Sequence, residues 1–198
     1  MRHFVATILL PVLLLFGGCG EGEDSAAKPA AQELTREAVG HYCNMIIADH
    51  EGPKAQIYLT GRADPIWFSS VRDAIAFTML PDEPKAIDAI YVNDMGRATW
   101  ASPEPGTWLA AEAAVYVIES RMRGGMGAAE AVPFAEHAEA EAFLAEHGGR
   151  IVTLAEVPRD YILAPDAPDP GAHDSTMDRS THDGMTMKPK ETDHDSAQ

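Results

Sequence analysis

His41-Tyr42-Cys43-Asn44-Met45 is the stretch of this sequence best suited to chemistry. Thiolate and thioether sulfurs are soft donors that favour Cu(I), whereas magnesium, calcium and manganese want oxygen. Zinc is held by cysteine, histidine or carboxylate, and methionine is not among its usual donors. Zinc stays an alternative, and Cu(I) is the better match for a Cys-x-Met pair that binds a metal. In an extended strand, residues at i, i+2 and i+4 face the same way, so His41, Cys43 and Met45 can share one face. An α-helix would set Cys43 and Met45 roughly 200° apart. The metal reading thus requires an extended or tightly looped backbone. A second reading stays open, in which Met45 packs beside Ile46 and Ile47 as core and the thiol is inert.

Two further groups of soft donors follow. Met122-Arg-Gly-Gly-Met126-Gly places Met126 in a glycine-rich loop, as a candidate sulfur ligand or as a turn residue tucked against an apolar edge. Beyond it, His173, Met177, His182, Met185, Met187 and His194 alternate with Asp174, Asp178, Asp183, Asp193 and Asp195. Such a tract reads either as a low-affinity metal-collecting segment, with His182, Met185 and Met187 as possible additional ligands, or as a solvated acidic tail.

The elements that must position Cys43 lie in the middle of the chain, because both ends differ from it in composition. Arg2 precedes the apolar run Phe4 to Phe16, which ends in Gly17-Gly18-Cys19. That run is short for a bilayer span and has the charge, core and small-residue exit of a signal peptide over 1–18, with Cys19 placed as a lipidation site. Residues 19–34 are small and charged and read as a flexible, lipid-anchored tether, and 165–198 read as a disordered tail. The net charge of -16 repels phosphate backbones and argues against nucleic acid. It offers no attraction to anionic lipid either, which leaves an acyl chain as the membrane anchor. With Cys19 acylated, Cys43 is a single thiol with no internal disulfide partner.

Between the ends, Lys54 to Leu59, Pro65 to Phe68, Ile87 to Val92, Val115 to Ile118, Ala131 to Phe134 and Ile151 to Leu154 read as strands, with Trp108 to Ala114 ambiguous. Val71 to Leu80 reads as a helix capped by Ser70 with Asp73 and stopped by Pro81, and Ala135 to His147 as a helix stopped by Gly148-Gly149. Phe68 and Phe77 recur as Phe134 and Phe143, a phenylalanine ending a strand and another nine positions on inside a helix. This hints at an internal duplication. The fold class expected is α+β with short, mostly antiparallel strands, in a domain over 35–164 made of sub-units at roughly 40–95 and 96–160.

These residues resemble the NosL copper-binding lipoproteins associated with maturation of nitrous oxide reductase. The resemblance rests on Tyr42-Cys43-Asn44-Met45, Asp49-His50-Glu51-Gly52-Pro53-Lys54-Ala55-Gln56, Trp67-Phe68-Ser69-Ser70-Val71-Arg72-Asp73 and Gly124-Gly125-Met126-Gly127, in that order along the chain. It implies two small related ββαβ units and a bacterial periplasmic lipoprotein binding one Cu(I) through Cys43 and Met45, with Met126 as third ligand. It also implies docking on a membrane ABC-type transporter complex and copper supply to the copper-sulfide centre of nitrous oxide reductase. Where the family more often has glycine between cysteine and methionine, this chain has Asn44, a residue that tolerates unusual backbone conformations.

Two other classes compete. An enzyme would use Cys43 as nucleophile with His41 as base, but neither an oxyanion motif nor a Cys-x-x-Cys partner accompanies it. A lipid-anchored docking module would keep the thiol buried, move no metal, and use Trp67, Trp100 or Trp108 as contacts unless these are core.

Overall fold

The computed structural model describes residues 28–165. The expected signal peptide, the expected lipidation site Cys19 and the tail residues His182, Met185 and Met187 lie outside the described residues.

The fold is α+β, built from two units of one plan. The first contains β1 (Ala55–Leu59), β2 (Ile66–Phe68), α1 (Val71–Met79) and β3 (Ile87–Asn93), forming an antiparallel sheet in the order β2-β1-β3. β4 (Trp108–Ala110), the start of the stretch left ambiguous by sequence, pairs with β3 and extends this sheet past residue 95. The second unit contains β5 (Val115–Ile118), β6 (Val132–Phe134), α2 (His137–His147) and β7 (Arg150–Thr153), in the order β6-β5-β7. Each unit is strand, strand, helix, strand with its first strand in the middle. The recurring phenylalanines explain themselves in three dimensions. Phe68 meets Phe77 with ring centroids 5.5 Å apart, and Phe134 meets Phe143 at 5.2 Å, so each pair closes its helix onto its own sheet.

Alternation along β5 joins the two units. Tyr116 and Ile118 face a core shared with Ala55, Ile57 and Leu59 of β1 and with Val71, Ala74, Ile75 and Phe77 of α1. Val117 faces the opposite way, with Val132, Phe134 and Ala140, under α2. Fully burying one aromatic or large aliphatic side chain contributes about 1.5–3 kcal/mol, so Phe68, Phe77 and Phe134 are main anchors of the fold. Helix α1 starts where the sequence places it, with Ser70 Oγ accepting from the Asp73 amide. A short helix α3 (Arg159–Leu163), absent from the sequence reading, is held by the buried Arg72 guanidinium, which donates to Ile162 O at 3.1 Å and Ala164 O at 2.7 Å. Those contacts span some ninety residues, beyond the reach of local periodicity.

Strand β1 is buried on both faces. The chain before the domain explains this. Gln32 and Gln56 exchange two hydrogen bonds at 2.9 Å, and Tyr91 Oη donates to Pro29 O at 2.6 Å. Residues 28–34, the end of the expected tether, therefore lie against the first sheet because polar side chains on its outer face satisfy their backbone. Trp67, Trp100 and Trp108 are each half-buried, Trp67 packing on Trp108 at 5.8 Å and Trp100 stacking on Phe143 at 6.3 Å.

Candidate metal centre

The cysteine sits on a loop hung from the edge of the first sheet. Val39 bridges Ile46, the Ile47 amide donates to Ala38 O at 3.0 Å, and the Gly40 amide donates to Met45 O at 2.9 Å. Between these ties the chain reverses over Gly40 to Met45. Asn44 takes φ 54°, the left-handed region, and its amide donates to Gly40 O at 2.9 Å. Asparagine enters that region at less cost than most residues, so Asn44 accommodates the reversal. The loop is fixed to edge strand β2 by a bond from the His41 amide to Trp67 O at 2.8 Å, and fully buried Ile47 anchors its exit. The segment is thus the tight loop that the metal reading allowed and not a strand, and the shared strand face for His41, Cys43 and Met45 does not form.

Within this loop Cys43 is half-buried, and its thiol folds back over Gly40. A Cβ at Gly40 would fall 2.5 Å from Cys43 Sγ, so only glycine leaves the thiol its seat. The polar neighbour of Sγ is Ser69 Oγ at 3.8 Å, within reach of a weak S–H···O contact. Met45 is 41% exposed. We expect Gly40→Ala to force the Cys43 side chain into another rotamer and to weaken Cu(I) affinity by about tenfold, roughly 1.4 kcal/mol. Competition titration against wild type checks this, and unchanged affinity would show that the seat does not matter.

His41 is turned elsewhere. Its ring packs on Tyr42, Phe68 and Phe77, with centroids at 4.8, 5.7 and 5.4 Å, and its Nε2 lies 3.6 Å from Glu83 Oε1. Tyr42 Oη donates to the same oxygen at 2.9 Å. Burial and this carboxylate raise the Tyr42 phenol well above its ordinary pKa, so it remains a donor. The imidazole thus faces Glu83 on one edge and the Phe68 and Phe77 rings on its sides.

Met126 occupies the exposed tip of a second tight turn, closed by Gly127 N to Gly124 O at 2.7 Å and Gly124 N to Ala128 O at 2.9 Å. This turn is pressed onto the segment after the cysteine loop. A Cβ at Gly125 would lie 2.6 Å from His50 Cβ and 2.7 Å from Glu51 O, and one at Gly124 would lie 2.5 Å from Glu130 Oε2. The double glycine allows this close backbone approach.

Under the turn lies a polar layer that sequence reading missed. Glu130 is buried, and its Oε1 accepts from the Arg72 and Ala131 amides, each at 2.9 Å, and from Ser70 Oγ at 3.4 Å. Burial pushes its pKa up to about 7 despite those bonds. Lys54, also buried, donates from Nζ to Glu51 O at 2.7 Å and Gly52 O at 2.8 Å, and burial pushes it down to about 8. His50 Nε2 and Glu130 Oε2 are buried without a hydrogen-bond partner. Glu130 carried no local signal, since nothing near it in sequence marks a glutamate as interior.

The donor types fit a soft cation: one half-buried thiol with an exposed methionine two residues away, and a further exposed methionine on the tight turn that rests against His50 and Glu51. Among the described residues no group of three or more His, Cys, Asp or Glu side chains is placed to hold a metal, so a hard-ligand cage is not formed there.

Comparison with known proteins agrees. The NosL family profile matches residues 31–162. A copper-binding lipoprotein NosL from Achromobacter cycloclastes is 46% identical over 160 residues, covering 80% of this chain and 82% of that protein. One of the same description from Stutzerimonas stutzeri is 37% identical over 162 residues, covering 79% and 82%. The crystal structure of the copper chaperone NosL from Shewanella denitrificans superposes with a TM-score of 0.62 at 29% identity, covering 66% of this chain and 96% of that one.

Proposed function

The chain belongs to the NosL family, and from that premise we propose that it is a periplasmic lipoprotein, anchored through Cys19, that binds Cu(I) at Cys43, Met45 and Met126. On this reading it hands copper on for assembly of the copper-sulfide centre of nitrous oxide reductase, docked on a membrane ABC-type transporter complex. What supports the lipid anchor is the apolar start of the chain, which has the form of a signal peptide ending in Gly17-Gly18-Cys19, and the lipoprotein description of the relatives.

One observation carries the reading. The exposed large apolar side chains among the described residues are Val39, Tyr42, Met45, Ile46 and Met126. Four belong to the cysteine loop and its flanks, and the fifth is the other candidate thioether. Scattered single apolar residues on a surface need no explanation, but confinement to one thiol loop and one methionine turn marks a contact site. A docking module with a buried thiol would not need its sulfurs at the surface. Copper, on this reading, is cargo: open sulfur donors let an incoming ligand attach before an old one leaves.

Transfer by such exchange makes a kinetic demand. When Cu(I)-loaded protein is mixed anaerobically with excess chromogenic chelator, the observed rate of copper loss should rise in proportion to chelator concentration. A rate independent of chelator would mean that copper leaves before its acceptor arrives, and would sink the exchange picture.

A further inference from the structure

A carboxyl group sealed inside a protein is costly unless its oxygens find partners, and Glu130 leaves one oxygen without any. Its Oε1 is well supplied, taking the backbone amides of Arg72 and Ala131 and the hydroxyl of Ser70. Its Oε2 faces the Cα of Gly124, so closely that no side chain could stand there.

The two oxygens thus touch two different parts of the candidate centre. On the Oε1 side, Ser70 caps α1 and follows Ser69, the polar neighbour of the Cys43 thiol. On the Oε2 side, Gly124 opens and closes the hydrogen-bonded turn whose tip is Met126. Ser70 and Glu130 are sixty residues apart in sequence, with β3, β4 and β5 between them. Cys43 and Met126 are eighty-three residues apart along the chain, so contacts made on folding set their spacing. We propose that Glu130 is a positioning residue for copper binding: its buried carboxyl bridges the start of α1 and the Gly124 turn, and so sets where Met126 stands relative to Cys43. The inference rests on Met126 being a ligand, as in the function proposed above, and adds a residue that touches no metal.

Such a role differs from plain bracing in one measurable way. A brace stabilises the fold whatever Met126 is, whereas a positioning residue acts on affinity only while Met126 is there to be positioned. Anaerobic Cu(I) competition titrations of the full chain would compare wild type, Glu130→Gln, Met126→Ala and the double variant, with thermal melting of each apo protein. Glutamine keeps an Oε1 acceptor but puts a donor amide where Oε2 rests against Gly124. We expect Glu130→Gln to weaken binding by about tenfold in the wild-type background and by less than about twofold in the Met126→Ala background. Gly124→Ala crowds the same contact from the turn side and should show the same dependence, which covers the case in which the glutamine variant does not fold. An equal loss in both backgrounds, or a loss of melting temperature with affinity intact, overturns the proposal. If Met126→Ala alone leaves affinity unchanged, it is the assignment of Met126 as ligand that fails, and the positioning role falls with it, while binding through Cys43 stands.

Discussion

Full-length protein carrying Cys43→Ser should lose Cu(I) affinity by at least about a thousandfold in an anaerobic competition titration, roughly 4 kcal/mol or more. The expected size follows from donor chemistry. Cys43 is the one free cysteine among the described residues, and a serine hydroxyl is not a soft donor. The loop should survive the change, because its reversal is held by backbone bonds from Gly40, His41 and Asn44 and by buried Ile47, none of which needs the sulfur. The hydroxyl even retains a neighbour in Ser69 Oγ. A titrant strong enough to strip weak sites separates this centre from copper held loosely by the His/Met tail. Met45→Ala should cost less, about tenfold, as one neutral thioether is lost. The same variant tests the biological route: nitrous oxide reductase matured in cells whose only copy of this protein carries Cys43→Ser should lack copper at its sulfide centre. Unchanged affinity would remove Cys43 from the site, and a fully loaded reductase would remove this protein from its assembly.

The second large effect concerns pH. Glu130 is pushed up to about 7 from the usual 4.5, so its contribution to stability is fully present below about pH 4.5 and is lost as pH rises through 7. Lys54 is pushed down to about 8 from the usual 10.5, so its contribution is fully present above that value and is lost as pH falls through 8. Both contributions are therefore absent in the window between pH 7 and 8, where the two groups are charged inside the protein. Burial dominates each shift, and each limb amounts to about 3 kcal/mol. Urea unfolding followed from pH 4.5 to 10 should show Glu130→Gln gaining on wild type as pH rises toward 7. Lys54→Met should gain on wild type as pH falls from 10 toward 8. A difference between Glu130→Gln and wild type that stays flat from pH 4.5 to 7 would mean that the carboxyl ionises as if in water. The trough falls at neutral pH, so the layer beneath the Met126 turn is least stable there.

Much of this protein was legible in one dimension because it depends on neighbours in sequence. Soft donors two residues apart favour Cu(I) over hard cations on donor chemistry alone, if they bind a metal. Alternation and capping mark β1, α1, β3, β5 and α2 to within a few residues, because period and cap are local properties. The spacing of Phe68 with Phe77 and of Phe134 with Phe143 announced the repeated unit, since a strand that returns through a helix needs an apolar residue at each end of that path. Asn44 was legible as a residue that tolerates unusual backbone conformations, and the structure supplied its left-handed φ of 54°.

What only the tertiary structure decided is how these parts meet. It made the cysteine segment a closed loop, because the edge of β2 takes the His41 amide and the Gly40–Met45 bond closes the reversal. It turned His41 toward Glu83 and gave the thiol Ser69 as neighbour, at separations of forty-two and twenty-six residues along the chain. It also buried Glu130 between the start of α1 and the Gly124 turn, though nothing around Glu130 in sequence distinguishes it from the many surface carboxylates. Periodicity reports the face on which a side chain lies within its own element. Which distant backbone comes to press against that face is set by the packing of both sheets around α1, which periodicity along one segment does not report.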